Sequence, residues 1–204
     1  MFALISNYKD FINFCKSLDK RPRLLLHRCC GPCSSWTMKL LSEYFDLDIF
    51  YSNDNIYPKE EYLKRLSEQE RIAQMLVPSA KVFYDDYNDL DYYAAINGYE
   101  TLGEHSKRCY LCMLLRMRKT AKRAKELGYD YFTTTLSISP HKNSDWINEI
   151  GYMLENEVGV KYLYSNFKKD EGYKHSIELS KEYDLYRQDY CGCVYSLNER
   201  NASK

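Results

Sequence analysis

The stretch Arg23-Leu24-Leu25-Leu26-His27-Arg28-Cys29-Cys30-Gly31-Pro32-Cys33 joins a short apolar run to a group of cysteines. Three consecutive leucines do not alternate with polar residues, which is typical of a strand buried on both faces. Helical spacing follows, because Trp36, Leu40 and Tyr44 recur at every fourth position. A strand that leads directly into a helix begins a βαβ unit, so this stretch predicts a parallel sheet covered by helices.

The same alternation continues along the chain. Further apolar or β-branched runs predict strands at 48–51, 81–84, 131–135 and 161–164. Helical spacing predicts a helix at 114–127 that Gly128 terminates. Another helix is predicted at 144–156, with Asn143 or Ser144 as its cap. We therefore predict an α/β fold with a mostly parallel sheet flanked by helices and a ligand site beyond the carboxyl ends of the strands.

The composition is that of a soluble globular protein, since 45% of the 204 residues are hydrophobic and 28% are charged. We predict a single α/β domain over 1–204, with an N-terminal helical extension over about 1–22 and a C-terminal segment over about 183–204 that closes the site. No apolar run approaches the roughly 18 residues that span a bilayer, and the N-terminus lacks a secretory signal. We therefore expect a cytoplasmic protein without a membrane partner.

Seven of the eight cysteines fall into three tight groups. The groups are Cys29-Cys30-Gly31-Pro32-Cys33, Cys109-Tyr110-Leu111-Cys112 and Cys191-Gly192-Cys193. The first group follows the first predicted strand and should lie at the ligand edge of the sheet. The second precedes the 114–127 helix, whose free N–H groups favour thiolate over thiol. The remaining Cys15 lies among apolar residues and is expected in the core.

The clustered cysteines leave three interpretations open, all of which use metal or redox chemistry. A structural zinc site takes four thiolates and leaves the other three without a role, as in a zinc-stabilised RNA-binding module. A thioredoxin-like thiol–disulfide oxidoreductase needs only Cys30 and Cys33. An iron–sulfur cluster also takes four thiolates, and the other three can serve redox chemistry or a second metal. The number of cysteines favours the cluster.

Six ordered blocks between Arg23 and Ser196 carry a resemblance to a known family. The blocks are Leu25–Ser34, Ser52–Pro58 with Glu61-Tyr62, Arg108–Cys112, Thr133–Leu136, Ser139–Asn143, and Ser176 with Glu178–Ser180 and Tyr186–Cys193. Together they resemble the cobalamin-independent epoxyqueuosine reductase family, QueH. Two positions depart from the family pattern: Cys33 stands where members also carry Asp, and Asp54 stands where Pro is common.

The resemblance implies an enzyme of the last step of queuosine biosynthesis. Its substrate would be epoxyqueuosine at the wobble position of the tRNAs for Asn, Asp, His and Tyr, and its product queuosine. The implied fold is a Rossmann-like (HUP-type) sheet.

The resemblance also implies a metal centre. A [4Fe-4S] cluster would be held by Cys29, Cys30, Cys109 and Cys112. Cys191 and Cys193 would form a redox-active pair or, with Cys33, hold an additional iron.

Removal of an epoxide oxygen consumes two electrons and two protons, and side chains do not supply electrons at the required potential. The chain has neither a GxGxxG loop nor a P-loop. We therefore expect a cluster that is reduced by a donor such as a ferredoxin or flavodoxin. Asp54, Tyr190 and His27 are candidate proton donors.

The chain has 29 basic residues (Lys and Arg) and 29 acidic residues (Asp and Glu), so its formal net charge is zero. Contacts with tRNA must therefore come from a local basic patch. Eight basic and no acidic residues lie between Lys107 and Lys125. This helix face either holds phosphates or is balanced by acidic residues at 85–91. The residues predicted to bind substrate are Asn55, Thr134, Ser139, Lys142, Asn143, Arg187 and Gln188.

Overall fold

A computed structural model describes residue 5 and residues 7–203 and shows a parallel sheet. Its strands are β1 Arg23–His27, β2 Asp46–Tyr51, β3 Val82–Tyr84, β4 Tyr131–Thr134 and β5 Lys161–Tyr162. They pair in the order β3-β2-β1-β4-β5, and each of these pairings is parallel. The predicted α/β class and the predicted strands are therefore confirmed.

Helices cover both faces of this sheet. They are α1 Tyr8–Lys16, α2 Gly31–Ser42, α3 Lys59–Leu76, α4 Leu90–Ile96, α5 Lys107–Glu126, α6 Ser144–Val158, α7 Gly172–Glu182 and α8 Val194–Ala202. The predicted N-terminal extension contains α1, and its residues 1–4 and 6 lie outside the described part of the chain. Among the described helices, none combines the length and the apolar character that crossing a membrane requires.

The three leucines of β1 show why this strand has no polar alternation. Leu24 and Leu26 pack into one core cluster, which contains residues of α1 and α2. Leu25 packs into the cluster on the opposite face, which contains residues of α5 and α6. All three side chains are 0% exposed, so burial on both faces accounts for the uninterrupted apolar run.

The strand order changes direction between β1 and β4. The chain runs outward from β1 through β2 to β3, and then returns to place β4 and β5 on the other side of β1. At such a switch point the loops after the two strands diverge and leave a crevice. His27 and Thr134, the last residues of β1 and β4, are register partners at this crevice.

The start of α6 agrees with the sequence prediction, whereas the start of α5 does not. Helix α6 begins at Ser144, where the side chain of Asn143 accepts hydrogen bonds from the backbone N–H groups of Asp145 and Trp146. Helix α5 ends before Gly128 (φ 69°) but begins at Lys107, two turns earlier than the apolar spacing predicts. The second cysteine group therefore lies within the first turns of α5 and does not precede it.

Candidate metal centre and substrate cavity

A cavity of about 930 Å³ opens at the carboxyl ends of the strands. Its volume is in the range of small-molecule sites. Residues from distant parts of the chain form its wall. The lining includes all seven clustered cysteines: Cys29, Cys30, Cys33, Cys109, Cys112, Cys191 and Cys193.

The first cysteine group bridges β1 and α2. Cys30 has an extended backbone and is the N-cap of α2, and Pro32 lies in the first turn, where its missing N–H costs nothing. The hydrogen bond with Cys30 and burial raise the pKa of Cys29 well above its ordinary value. These thiols are therefore neutral until a metal or a cation favours the thiolate.

The second cysteine group lies at the start of α5. Burial raises the pKa of Cys112 to about 12, against the effect of the nearby Arg116 guanidinium. Burial and the neighbouring Cys191 also raise the pKa of Cys109. The mutual influence of Cys109, Cys112 and Cys191 reflects the approach of the second and third groups across the cavity.

The third cysteine group is held in a loop before α8. The carbonyl of Gly192 accepts a hydrogen bond from the Tyr57 N–H (2.8 Å), and that of Cys191 accepts one from Arg65 Nη1 (3.2 Å). Gly192 has φ 134°, which favours glycine, and an added Cβ would lie 3.2 Å from Arg65 Nη1. Lys142 Nζ lies 3.2 Å from Cys191 Sγ, and this sulfur raises the pKa of the lysine above its ordinary value.

Helix α3 anchors the segment that carries the C-terminal cavity residues. The Glu68 carboxylate accepts hydrogen bonds from the Tyr186 N–H (2.9 Å) and from Arg71 (2.8 Å). Arg71 Nη2 also donates to the carbonyl of Tyr183 (3.1 Å). These contacts hold the chain just before Arg187 against α3.

We expect Glu68→Gln to weaken this anchor in a pH-dependent way. The hydrogen bond from Arg71 lowers the pKa of Glu68 in the folded protein. Because the pKa is lower in the folded state, ionised Glu68 stabilises the fold fully at pH values above the unfolded-state pKa of about 4.3. That stabilisation is lost as the pH falls through the pKa of Glu68 in the folded protein. The substitution should reduce the free energy of unfolding at neutral pH by roughly 1–2 kcal/mol. Urea unfolding at neutral and acidic pH measures this difference, which should shrink in acid.

Glu157→Gln is the matched control, because Glu157 pairs with Arg118 on the surface, where ion pairs contribute little. A Glu68→Gln difference that persists below the folded pKa would contradict the ionic anchor.

Buried cations surround the cysteine groups. Arg65 pairs with Glu61 (2.7 Å), and Arg108 pairs with Glu199 (3.3 Å). Arg116 instead donates to Asn53 Oδ1 (3.4 Å) and to a backbone carbonyl, and no described carboxylate pairs with it. The wall therefore carries more positive charge than its described carboxylates balance.

This excess of positive charge fits an anionic metal centre. Arg28 is buried, and its three side-chain nitrogens have no hydrogen-bond partner in the part of the chain that the structure describes. A buried charge without a partner is strongly unfavourable. Thiolates that hold a [4Fe-4S] cluster would supply the missing negative charge, so the residues present fit that group.

The spacing of the cysteines bears on which metal they could hold. Among the described residues, no three His, Cys, Asp or Glu side chains converge as ligands of one metal ion. A structural zinc ion requires four ligands within about 2.3 Å of one point. The thiolates of a [4Fe-4S] cluster bind different iron atoms, so wider spacing suits the cluster better. The additional iron at Cys33, Cys191 and Cys193 stays a prediction.

Asp54 does not line the cavity. Its carboxylate forms a salt bridge with Lys119 Nζ (2.6 Å), and the same Nζ contacts Asp91 (2.6 Å). Burial raises the pKa of Asp54, and Lys119 opposes the rise. This carboxylate joins α5 to the loop after β2, and its role as a proton donor stays a prediction.

His27 and Thr134 also lie outside the cavity lining. The carbonyl of Ser52 can only accept a hydrogen bond, so His27 Nε2 donates to it (3.1 Å), and Nδ1 accepts from Thr134 Oγ1 (2.8 Å). Burial and the Arg116 charge lower the pKa of His27 to about 3, so its ring is neutral. The histidine joins the ends of three strand segments and has no free proton for substrate.

The other residues predicted to bind substrate or donate a proton line the cavity. They are Asn55, Ser139, Lys142, Asn143, Arg187, Gln188 and Tyr190. Sequence reasoning missed the lining residues Tyr92, Trp146 and Tyr173, and it assigned Arg108 and Arg116 only to a basic helix face. Trp146 could have been found, because it follows the predicted cap of α6 at the edge of the sheet.

The basic stretch of α5 is largely neutralised. Arg108 and Arg116 are buried beside the cysteines. Arg118 pairs with Glu157, Lys119 with Asp54 and Asp91, and Arg123 with Asp85. The expectation of a balanced helix face therefore describes α5 better than a continuous phosphate-binding face.

A comparison with protein families matches residues 24–199 to the model described as epoxyqueuosine reductase QueH. The match spans nearly all of β1, most of the cavity lining and all three cysteine groups. The chain belongs to the QueH family. The predicted resemblance is thereby confirmed.

Curated QueH relatives cover most of the chain. The epoxyqueuosine reductase QueH of Streptococcus pyogenes is 42% identical over 86% of this chain and 71% of its own length. Those of Staphylococcus epidermidis and Thermotoga maritima are 41% and 40% identical, over 96% and 87% of this chain and 88% and 91% of their own lengths. A solved structure, the U34-tRNA thiolase NcsA from Methanococcus maripaludis with its [4Fe-4S] cluster, is 17% identical, with a TM-score of 0.49, over 92% of this chain and 68% of that chain.

The two positions predicted to depart from the family pattern lie in different surroundings. Cys33 lines the cavity with the other clustered cysteines. Asp54 is not in the cavity lining and is paired with Lys119. The effect of each departure stays a prediction.

Proposed function

We propose that this chain reduces epoxyqueuosine in tRNA to queuosine with electrons from a [4Fe-4S] cluster. The observation that carries the proposal is the meeting of seven cysteines at one cavity in a member of the QueH family. Family membership favours this reductase over a thioredoxin-like exchange at Cys30 and Cys33 or a zinc-stabilised RNA-binding module.

The first two cysteine groups are the proposed cluster ligands. Cys29 and Cys30 would hold it from the β1–α2 turn, and Cys109 and Cys112 from the start of α5. When bound, such a cluster supplies electrons one at a time. The buried guanidinium of Arg116 lies near both groups and opposes the raised pKa values of Cys29 and Cys112.

The third group provides a two-electron store in this proposal. Oxidation of the Cys191 and Cys193 thiols to a disulfide releases two electrons and two protons. Loss of the epoxide oxygen as water consumes the same number. Alternatively, these two cysteines and Cys33 hold an additional iron.

The cavity wall would orient the modified base and donate protons. Lys142 Nζ and the Tyr190 hydroxyl both carry protons at the lining, although Tyr190 also donates to the Tyr57 carbonyl (2.6 Å). An unpaired anticodon base can stack on an aromatic ring such as Trp146. The polar residues proposed to contact the substrate are Asn55, Ser139, Asn143, Arg187 and Gln188.

The proposed substrates are the tRNAs for Asn, Asp, His and Tyr, which would be modified in the cytoplasm. A ferredoxin or flavodoxin is the proposed electron donor.

Anaerobic incubation with epoxyqueuosine-containing tRNA and a reductant tests the proposal. Nucleoside mass analysis should show the loss of one oxygen, and the purified protein should be brown and contain iron and acid-labile sulfide. A parallel incubation without reductant is the control. Unchanged tRNA with colourless, zinc-containing protein would support the binding module instead, and metal-free protein with a titratable disulfide would support thiol exchange.

A further inference from the structure

Arg28 is a buried cation without a partner. Its side chain and that of Arg65 are the largest fully buried side chains among the described residues, and Arg28 is 0% exposed. Among residues 5 and 7–203, none provides a hydrogen-bond partner for its Nε, Nη1 or Nη2 atom. The other buried guanidiniums of the described chain, those of Arg65, Arg108 and Arg116, all make hydrogen bonds, so Arg28 differs from them.

The backbone fixes Arg28 at this position. Its N–H donates to the carbonyl of Phe50 (3.1 Å), which continues the pairing of β1 with β2. Its carbonyl accepts a hydrogen bond from Asn53 Nδ2 (2.7 Å). Asn53 also accepts from Arg116, so the backbone of Arg28 belongs to the same framework that supports the second cysteine group.

Arg28 directly precedes Cys29 and Cys30 in the chain, and no described carboxylate forms a hydrogen bond or an ion pair with its side chain. Neutral thiols cannot compensate a buried guanidinium, whereas thiolates on an iron–sulfur cluster can.

We propose that Arg28 is the internal counter-ion of the iron–sulfur centre. This inference rests on the proposed function, because it assigns a role toward the cluster that the function requires. The charge of Arg28 destabilises the metal-free protein and is compensated when Cys29 and Cys30 bind the cluster as thiolates. The same charge favours the more negative, reduced state of the centre and so raises its reduction potential.

The proposal predicts opposite effects of one substitution in two states of the protein. Arg28→Met keeps a long apolar side chain and removes the charge. The metal-free variant should therefore unfold at a higher temperature than the metal-free wild type. The cluster-loaded variant should unfold at a lower temperature than the loaded wild type, and its reduction potential should be more negative. If Arg28 had only a structural role, Arg28→Met would lower the unfolding temperature of both the metal-free and the cluster-loaded protein. It would leave the reduction potential unchanged.

The experiment compares wild type, Arg28→Met and Arg28→Lys, each with reduced thiols and with a reconstituted cluster. Thermal unfolding is followed in both states, and the potential is measured by optical redox titration under nitrogen. Arg28→Lys should restore most of the wild-type potential, because it keeps the charge. Arg118→Met is the matched control, since Arg118 forms a surface ion pair with Glu157, and it should leave the potential unchanged.

Two kinds of failure can be told apart. Wild-type protein that takes up no iron and sulfide would overturn the proposed function. If wild-type protein takes up the cluster normally but Arg28→Met leaves the reduction potential unchanged, only the role of Arg28 is overturned. Failure of metal-free Arg28→Met to fold would also overturn it, because that state is expected to gain stability.

Discussion

Replacement of Cys109 or Cys112 by alanine is expected to abolish both the brown colour and the turnover of anaerobically purified protein. Both cysteines line the cavity from the start of α5. Each substitution would remove one of the four proposed cluster ligands, and a [4Fe-4S] cluster depends on four thiolates. Visible absorbance, iron and sulfide content and the mass of the tRNA nucleoside measure the effect, with activity expected at background.

Cys15→Ala is the control for the loss of a buried thiol, because Cys15 lies in the core cluster behind the sheet and not at the cavity. It should keep its colour and activity while losing some stability. Colour retained when Cys109 and Cys112 are both replaced would show that the ligand assignment is wrong.

Gly151→Ala is expected to reduce the free energy of unfolding by roughly 3 kcal/mol through overpacking. A Cβ at Gly151 would lie 2.3 Å from Cε1 of Tyr162. The ring cannot easily move, because its hydroxyl lies 3.1 Å from Asn148 Oδ1 and 2.9 Å from Ser165 Oγ. Helix α6 therefore needs glycine where it crosses β5. Chemical denaturation of the metal-free, reduced protein measures the loss.

Gly103→Ala is the matched glycine control, since an added Cβ there would have no heavy atom within 4 Å. It should leave the free energy of unfolding within about 0.5 kcal/mol of wild type or raise it slightly. An equal unfolding midpoint for Gly151→Ala and wild type would show that Tyr162 yields to the new methyl group.

Local sequence patterns were sufficient for much of the fold. Leu24, Leu25 and Leu26 indicate burial on two faces, and Asn143 indicates where α6 begins. The start of α5 was predicted seven residues too late, because its first turn carries Lys107, Arg108 and Cys109 before the apolar spacing begins. Arg108 and Cys112 are nevertheless buried, and both line the cavity.

The site was predictable where it depends on topology and not where it depends on tertiary pairing. Parallel strands bring the loops after them to one edge, which places the first cysteine group at the cavity. The pairing of Asp54 with Lys119 depends on how α5 crosses the sheet, which no local pattern reveals. The burial of Arg28 and Arg116 was missed for a similar reason, since arginine is almost never fully buried without a partner.

The anchoring of the chain near Tyr186 to α3 has a consequence for biogenesis. Cys29 and Cys30 are translated early, whereas the wall that carries Cys191 and Cys193 is translated about 160 residues later. The cavity is therefore complete only after α3 binds that later segment, and a nascent chain stalled before Cys191 would lack this wall.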